Sequence, residues 1–218
     1  MSGHLDFHFD FISPYAYLAW TQIDRIAAAH EREVRLVPVL FGAMLSSFGT
    51  IGPAEIPAKR EYTFLDIHRK AHLLGVPIQM PPRHPFAPLI ALRAATSFVD
   101  PIERRRAVGA LYRAAWVTGR GVDTDALVAE ALSAAGLDGD AAVAKTSSHE
   151  VKAALIATTK DAIARNVFGV PTIVADGEHF WGTDALPSLE AFLRGDDPIT
   201  PEVRARIAAT PVGVERKR

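Results

Sequence analysis

An α/β fold is predicted for this chain, with a small sheet drawn from both ends of the sequence and helices between. Three observations carry it. Residues 5–12 alternate as a strand, and Val34 to Phe41 reads as a second strand after a helical stretch. Strand signals then vanish from Pro57 to about Lys160. They return in Val170 to Ala175 and Glu178 to Trp181, on either side of the turn pair Asp176-Gly177.

The first strand has Leu5, Phe7, Phe9 and Phe11 on one face and Asp6, His8 and Asp10 on the other. Period-two alternation predicts a half-buried strand whose polar face meets solvent. Ser13-Pro14 stops it, since Ser is a favoured helix cap and Pro a favoured first helical residue. Ala16, Ala19, Ile23, Ile26 and Ala27 then recur at helical spacing up to about Glu31–Glu33. The second strand contains Pro38, which suits an edge or a bulge. Residues 42–57, rich in Gly, Ser and Pro, read as a loop.

The middle of the chain reads as helices. Phe64, Ile67, Ala71 and Leu74 share a face, and Gly75 ends that helix. Leu89, Leu92 and Thr96 continue the pattern. Asp100 with Glu103, and Ser147 with Glu150, are read as capping boxes, and Asp123 as the cap of a helix ending at Gly136. After the hairpin, Asp184 is expected to open a helix to about Leu193, and a short helix to span Pro201 to Ala209. A strand–helix–strand half and a strand–strand–helix half joined by helices is the connectivity of a thioredoxin-like core split by an all-helical insertion. The expected division assigns residues 1–41 and 161–218 to the core and 42–160 to the insertion.

Composition narrows the function. The 218 residues suffice for one large domain with an insertion. A net charge of −1 supplies no field for nucleic acid or an anionic membrane. The basic end, Arg216, Lys217 and Arg218, reads as a solvated tail. There is neither an apolar run long enough to span a bilayer nor the basic start and apolar core of a signal peptide, so a cytoplasmic address is expected. The chain has no cysteine, which excludes disulfides, a thiolate nucleophile and zinc–thiolate sites.

Four motifs are candidate sites. Ser13-Pro14 places a helix start after a strand of a βαβ unit, where open α/β sheets collect ligands. Such a start offers free N–H groups and the positive dipole end to an anion or thiolate. No G-x-S-x-G surrounds Ser13, so a hydrolase nucleophile is disfavoured. Val170-Pro171-Thr172 opens a strand. In a thioredoxin-like core a proline there is cis and leaves the preceding backbone free to capture a peptide-like ligand. Phe180-Trp181-Gly182-Thr183-Asp184 is either core plus helix cap or a holder of a charged ligand end. His68 and His72 sit one helical turn apart without a third ligand, and read as a solvated face with no metal site.

Together these segments resemble a known family. Phe9-Asp10-Phe11-Ile12-Ser13-Pro14-Tyr15-Ala16-Tyr17-Leu18-Ala19 is similar to the opening of 2-hydroxychromene-2-carboxylate isomerases and kappa-class glutathione transferases. Pro57-Ala58-Lys59 with Tyr62, Gly75-Val76-Pro77, Phe168-Gly169-Val170-Pro171-Thr172 and Asp176 through Leu186 continue the likeness. The resemblance implies a homodimer that binds glutathione and a small aromatic substrate. It implies that Ser13, at the helix started by Pro14, contacts the glutathione sulfur, with Lys59 assisting. Val170 before cis-Pro171 would pair with the ligand backbone, and Thr183 and Asp184 would hold its γ-glutamyl end. For an aromatic keto acid, Tyr15, Phe41 and Phe86 are candidates for an apolar wall, and Arg83 or Lys59 for a cation. The implied reaction is a cis–trans isomerisation by reversible thiolate addition. A conjugating transferase and a redox-dead binding module stay open beside it. The chain reads Gly49-Thr50-Ile51 and His84-Pro85-Phe86-Ala87-Pro88 where the family often carries Asn.

Overall fold

The computed structural model describes residues 3–214, so the basic end at 216–218 lies outside the described residues. The chain runs β1 (His4–Phe9), α1 (Pro14–Ala29) and β2 (Glu33–Pro38), then α2 (Phe41–Ser47) and a 3₁₀ turn (Pro53–Glu55). Helices α3 (Pro57–Leu74), α4 (Leu89–Ser97), α5 (Pro101–Tyr112), α6 (Asp125–Ala134), α7 (Gly139–Lys145) and α8 (His149–Ala164) follow. Strands β3 (Thr172–Ala175) and β4 (Glu178–Trp181), a 3₁₀ turn (Thr183–Ala185), α9 (Leu186–Leu193) and α10 (Pro201–Ala209) close the chain. The sheet order is β2-β1-β3-β4. β1 and β2 are parallel, while β1–β3 and β3–β4 are antiparallel. This is the expected thioredoxin-like arrangement with helices inserted between β2 and β3. The expected boundary at 160/161 falls inside α8.

β1 lies inside the sheet, and this corrects the half-buried reading. Phe7 and Phe9 are fully buried against α1, but Asp6, His8 and Asp10 are buried too. Their face is covered by a second, smaller core of Val39, Met44, Ala162, Val167, Val170 and Val174. Asp6 is tolerated there because Arg35 grips it with two bonds of 2.8 and 2.6 Å and Arg165 adds one of 3.4 Å. Burial pushes this carboxyl up, yet the Arg35 and Arg165 bonds outweigh it and hold it below the usual range.

The helices share the larger core. Tyr112 on α5 packs in tilted and edge-on contacts against Phe9, Phe11, Tyr17 and Trp20, so the inserted helices pack on the sheet face. α3 starts at Pro57 and ends on Gly75 in the left-handed conformation (φ 67°), as the sequence predicts. Asp100 caps α5 through the N–H groups of Ile102 and Glu103. Other expectations shift. Part of the 42–57 loop is helical, because Met44 on α2 is drawn into the second core. Thr124 caps α6 and Ser148 caps α8, each one residue beyond the residue expected. Asp123 instead pairs with Arg83. Asp184 caps no helix; it lies within the 3₁₀ turn that precedes α9.

The α6–α7 packing is close at Gly139. A Cβ there would meet the Ala129 carbonyl and sit 2.7 Å from Ser133 Oγ, both on α6. Gly139→Ala should therefore destabilise the protein by about 1–3 kcal/mol in urea unfolding, despite alanine's better helix propensity. An unchanged or raised midpoint would refute the packing.

Candidate active site

The turn between β1 and α1 is held from several directions. Asp10 is fully buried. Its carboxylate accepts from Ile12 N–H at 3.1 Å and from Phe41 N–H at 2.9 Å, and the Phe11 N–H also serves it. Its carbonyl accepts from Ser13 N–H at 3.2 Å. Burial pushes the Asp10 carboxyl up to about 7, against the opposing pull of those backbone donors. The sequence pattern put this residue on a solvent face. Only its place directly ahead of a helix cap hinted at another role.

Ser13 then caps α1. Its hydroxyl accepts from Ala16 N–H at 3.2 Å and donates to the Val170 carbonyl at 3.3 Å. The Val170–Pro171 bond is cis, as expected for this strand start. The Pro171 carbonyl in turn accepts from Gly182 N–H at 2.9 Å, which brings Thr183 to the same edge. Ser13, Pro14, Val170, Pro171 and Thr183 thus form one connected group at the start of α1. The Thr183 hydroxyl is buried and has no hydrogen-bond partner among the described residues. Asp184 next to it is exposed.

The helical insertion supplies the other wall. Tyr15 donates to Asp66 of α3 at 2.8 Å; burial raises its phenol, and Asp66 raises it further. Lys59 stands exposed in the first turn of α3, two helical turns before Asp66 and on the same face. Arg60 beside it donates to the His84 carbonyl at 3.0 Å and covers the Phe64 ring. Sequence reasoning missed Arg60 and His84, whose partners are distant in the chain.

His84 is 9% exposed, and its Nε2 donates to the Ile12 carbonyl at 2.8 Å. Burial and the charge of Arg60 hold the ring below the ordinary histidine range, although the Ile12 bond works the other way. Because a carbonyl can only accept, the ring carries a proton on Nε2.

The remaining candidates separate. Phe41 is half-buried at the start of α2, against the second core. Arg83 is exposed and paired with Asp123 at 3.2 Å. Phe86 is only 6% exposed and packs on His84 and Trp116, so the wall expected from it is filled core. His68 and His72 are exposed, and among the described residues no three His, Asp or Glu side chains gather as a metal group. No described helix is long and apolar enough to cross a membrane.

Comparison with known proteins agrees with this architecture. The model of the DSBA-like thioredoxin domain family matches residues 4–194. A 2-hydroxychromene-2-carboxylate isomerase of Pseudomonas putida is 29% identical over 192 residues, covering 86% of this chain and 92% of that protein. Glutathione S-transferase kappa 1 of Rattus norvegicus is 26% identical over 220 residues, covering 93% and 97%. The solved structure of a 2-hydroxychromene-2-carboxylate isomerase superposes with a TM-score of 0.78 at 26% identity, covering 95% of this chain and 100% of that one. A probable DsbA oxidoreductase of Streptomyces coelicolor shares the fold alone, at TM-score 0.66 and 18% identity.

The buried Asp10 carboxyl makes a pH prediction. With its folded pKa raised, the native state holds a proton that the unfolded chain releases near pH 4, so stability falls as pH rises from about 4 to about 7. His8 and His84, both pushed down mainly by burial, act in the opposite sense. The Asp10 contribution is therefore the difference between wild type and Asp10→Asn. In urea unfolding from pH 5 to 8, wild type should lose on the order of 1–3 kcal/mol relative to the variant. Parallel profiles would show that Asp10 does not titrate in this range.

Proposed function

We propose that this chain, which belongs to the DSBA-like thioredoxin domain family, is a glutathione-dependent cis–trans isomerase of an aromatic keto acid. The observation that carries this is the connected group at the start of α1: Ser13 bonded to Val170 ahead of cis-Pro171, with Thr183 beside it. In a chain without cysteine, that group has no thiol of its own to act on. Relatives named as isomerases and as kappa glutathione transferases support the same class.

The residues present fit glutathione. The Thr183 hydroxyl is a buried polar group awaiting a partner. The Val170 N–H donates no hydrogen bond among the described residues, and a cis-proline neighbour leaves it open to a peptide-like ligand. When bound, glutathione supplies a thiol that adds reversibly to the substrate's double bond, so the chemistry is redox-neutral. Ser13 and the N-terminus of α1 hold the sulfur as thiolate by hydrogen bonding and dipole. The Ser13 O–H must then turn from the Val170 carbonyl to the sulfur. Pro14 leaves that helix end free of one N–H that would need a partner. Thr183 and Asp184 receive the γ-glutamyl end. Arg83 or Lys59 supplies the cation for a substrate carboxylate, with Tyr15 and Phe41 as apolar surface. The same reading includes a cytoplasmic homodimer, divided at residues 1–41 and 161–218 against 42–160.

The kappa relatives favour one other outcome, conjugation with release of the adduct. Product analysis separates the two: full recovery of free glutathione after many turnovers supports isomerisation, and a stoichiometric thioether overturns it. Ser13→Ala should lower the rate about 10- to 100-fold, the worth of one hydrogen bond to a charged group. It should also cost about 1 kcal/mol of stability through the lost cap. Calorimetry showing no glutathione binding at millimolar ligand, with activity indifferent to Ser13, would sink both enzymatic readings.

A further inference from the structure

Two ring N–H groups from the helical insertion reach into the turn ahead of Ser13. Trp116 Nε1 donates to the Phe11 carbonyl at 2.8 Å, and His84 Nε2 donates to the Ile12 carbonyl at 2.8 Å. These are consecutive carbonyls. The N–H of each peptide unit is taken as well: Ile12 N–H by the Asp10 carboxylate, and Ser13 N–H by the Asp10 carbonyl. Both peptide planes are therefore fixed at both ends. Trp116 is itself seated on a π turn, Arg113–Val117, which continues α5 and passes its own carbonyl to Gln79 N–H at 2.7 Å.

The electrostatics give this a purpose. A carbonyl oxygen carries partial negative charge, and one turned toward a helix N-terminus would oppose an anion held there. At this site the two carbonyls nearest the cap point into the insertion instead. We infer that His84 is a positioning residue, whose Nε2–H acts with the Trp116 N–H to keep the Ile12 and Phe11 carbonyls away from the sulfur site at the start of α1. The inference rests on the glutathione reading above and adds to it a part for the insertion. His84 touches neither sulfur nor substrate; it acts through the backbone before Ser13. Its segment also carries Arg60 on the His84 carbonyl, so α3, the His84–Pro85 loop and the cap form one support.

The donor, rather than the bulk of the ring, is what the inference needs. His84→Phe keeps an aromatic ring in the cluster of Phe64, Phe86 and Trp116 but removes the N–H. His84→Gln keeps an N–H at nearly the reach of Nε2. The readout is the ultraviolet absorbance of the bound thiolate, titrated in the full-length protein saturated with glutathione. S-methylglutathione, which has no ionisable thiol, serves as the binding control. The bound thiol pKa should rise by about 0.5 to 1 unit in His84→Phe, stay near wild type in His84→Gln, and leave S-methylglutathione affinity within about twofold. Where His84→Phe does not fold, His84→Met supplies the non-donor. An unchanged thiol pKa in the non-donor variant overturns the inference. So does an equal rise in His84→Gln, or a parallel loss of S-methylglutathione binding, which would mark a packing role. A wild-type protein that binds neither compound fails at the earlier step, the glutathione reading itself.

Discussion

The carboxylate of Asp10 organises everything at the C-terminal end of β1. It has no contact with solvent, and its two oxygens gather the N–H groups of Ile12 and Phe41, with Phe11 also served. Those donors belong to two different connections, the one into α1 and the one into α2. An unpaired backbone N–H in that position would cost on the order of 1–3 kcal/mol each, so the carboxylate replaces bonds that neither helix nor strand can make. The chain can then turn sharply twice, once after β1 and once after β2. Helix α1 and the second core both take their places from those turns.

The same economy appears on the rest of β1. An inner strand covered on both faces is expected to be apolar throughout. This one carries Asp6 and His8, and Asp10 directly follows its last residue. Asp6 is matched by Arg35 and Arg165, and Asp10 by backbone donors, while His8 is pushed toward its neutral form mainly by burial. Asp6 is thus tied to Arg35 on β2 and to Arg165 just after α8, and slipping the strand by one residue would turn its carboxylate away from both.

Much of the fold was legible in the chain because its signals are local. Ser13-Pro14, Pro57 with Gly75, Asp176-Gly177 and the strand run after Pro171 each depend on a few adjacent residues, and each was found within a residue or two. Helix α2 was not legible: Gly42 and the serines are weak helix formers, and Met44 packing decides the matter. The half-buried reading of β1 failed for a similar reason, since alternation cannot tell solvent from a second core. At the candidate site, Ser13 and cis-Pro171 were visible while His84 and Trp116 were not. Their bonds to Ile12 and Phe11 span 72 and 105 residues. No spacing rule reports a side chain whose partner lies that far along the chain.

The register of β1 against β3, Leu5 opposite Ala175, has a consequence for synthesis. At about 5–20 residues per second, the nascent chain waits on the order of ten seconds or more between emergence of β1 and of β3. During that interval the edge of β1 that later takes β3 is open, and the phenylalanine row is adjacent to it. Such an edge is a template for wrong partners. Asp6 and His8 interrupt the apolar run there, and charge within a strand resists stacking against copies of itself. Residues that end as buried ion-pair and neutral-ring members can thus begin as guards of an unfinished sheet.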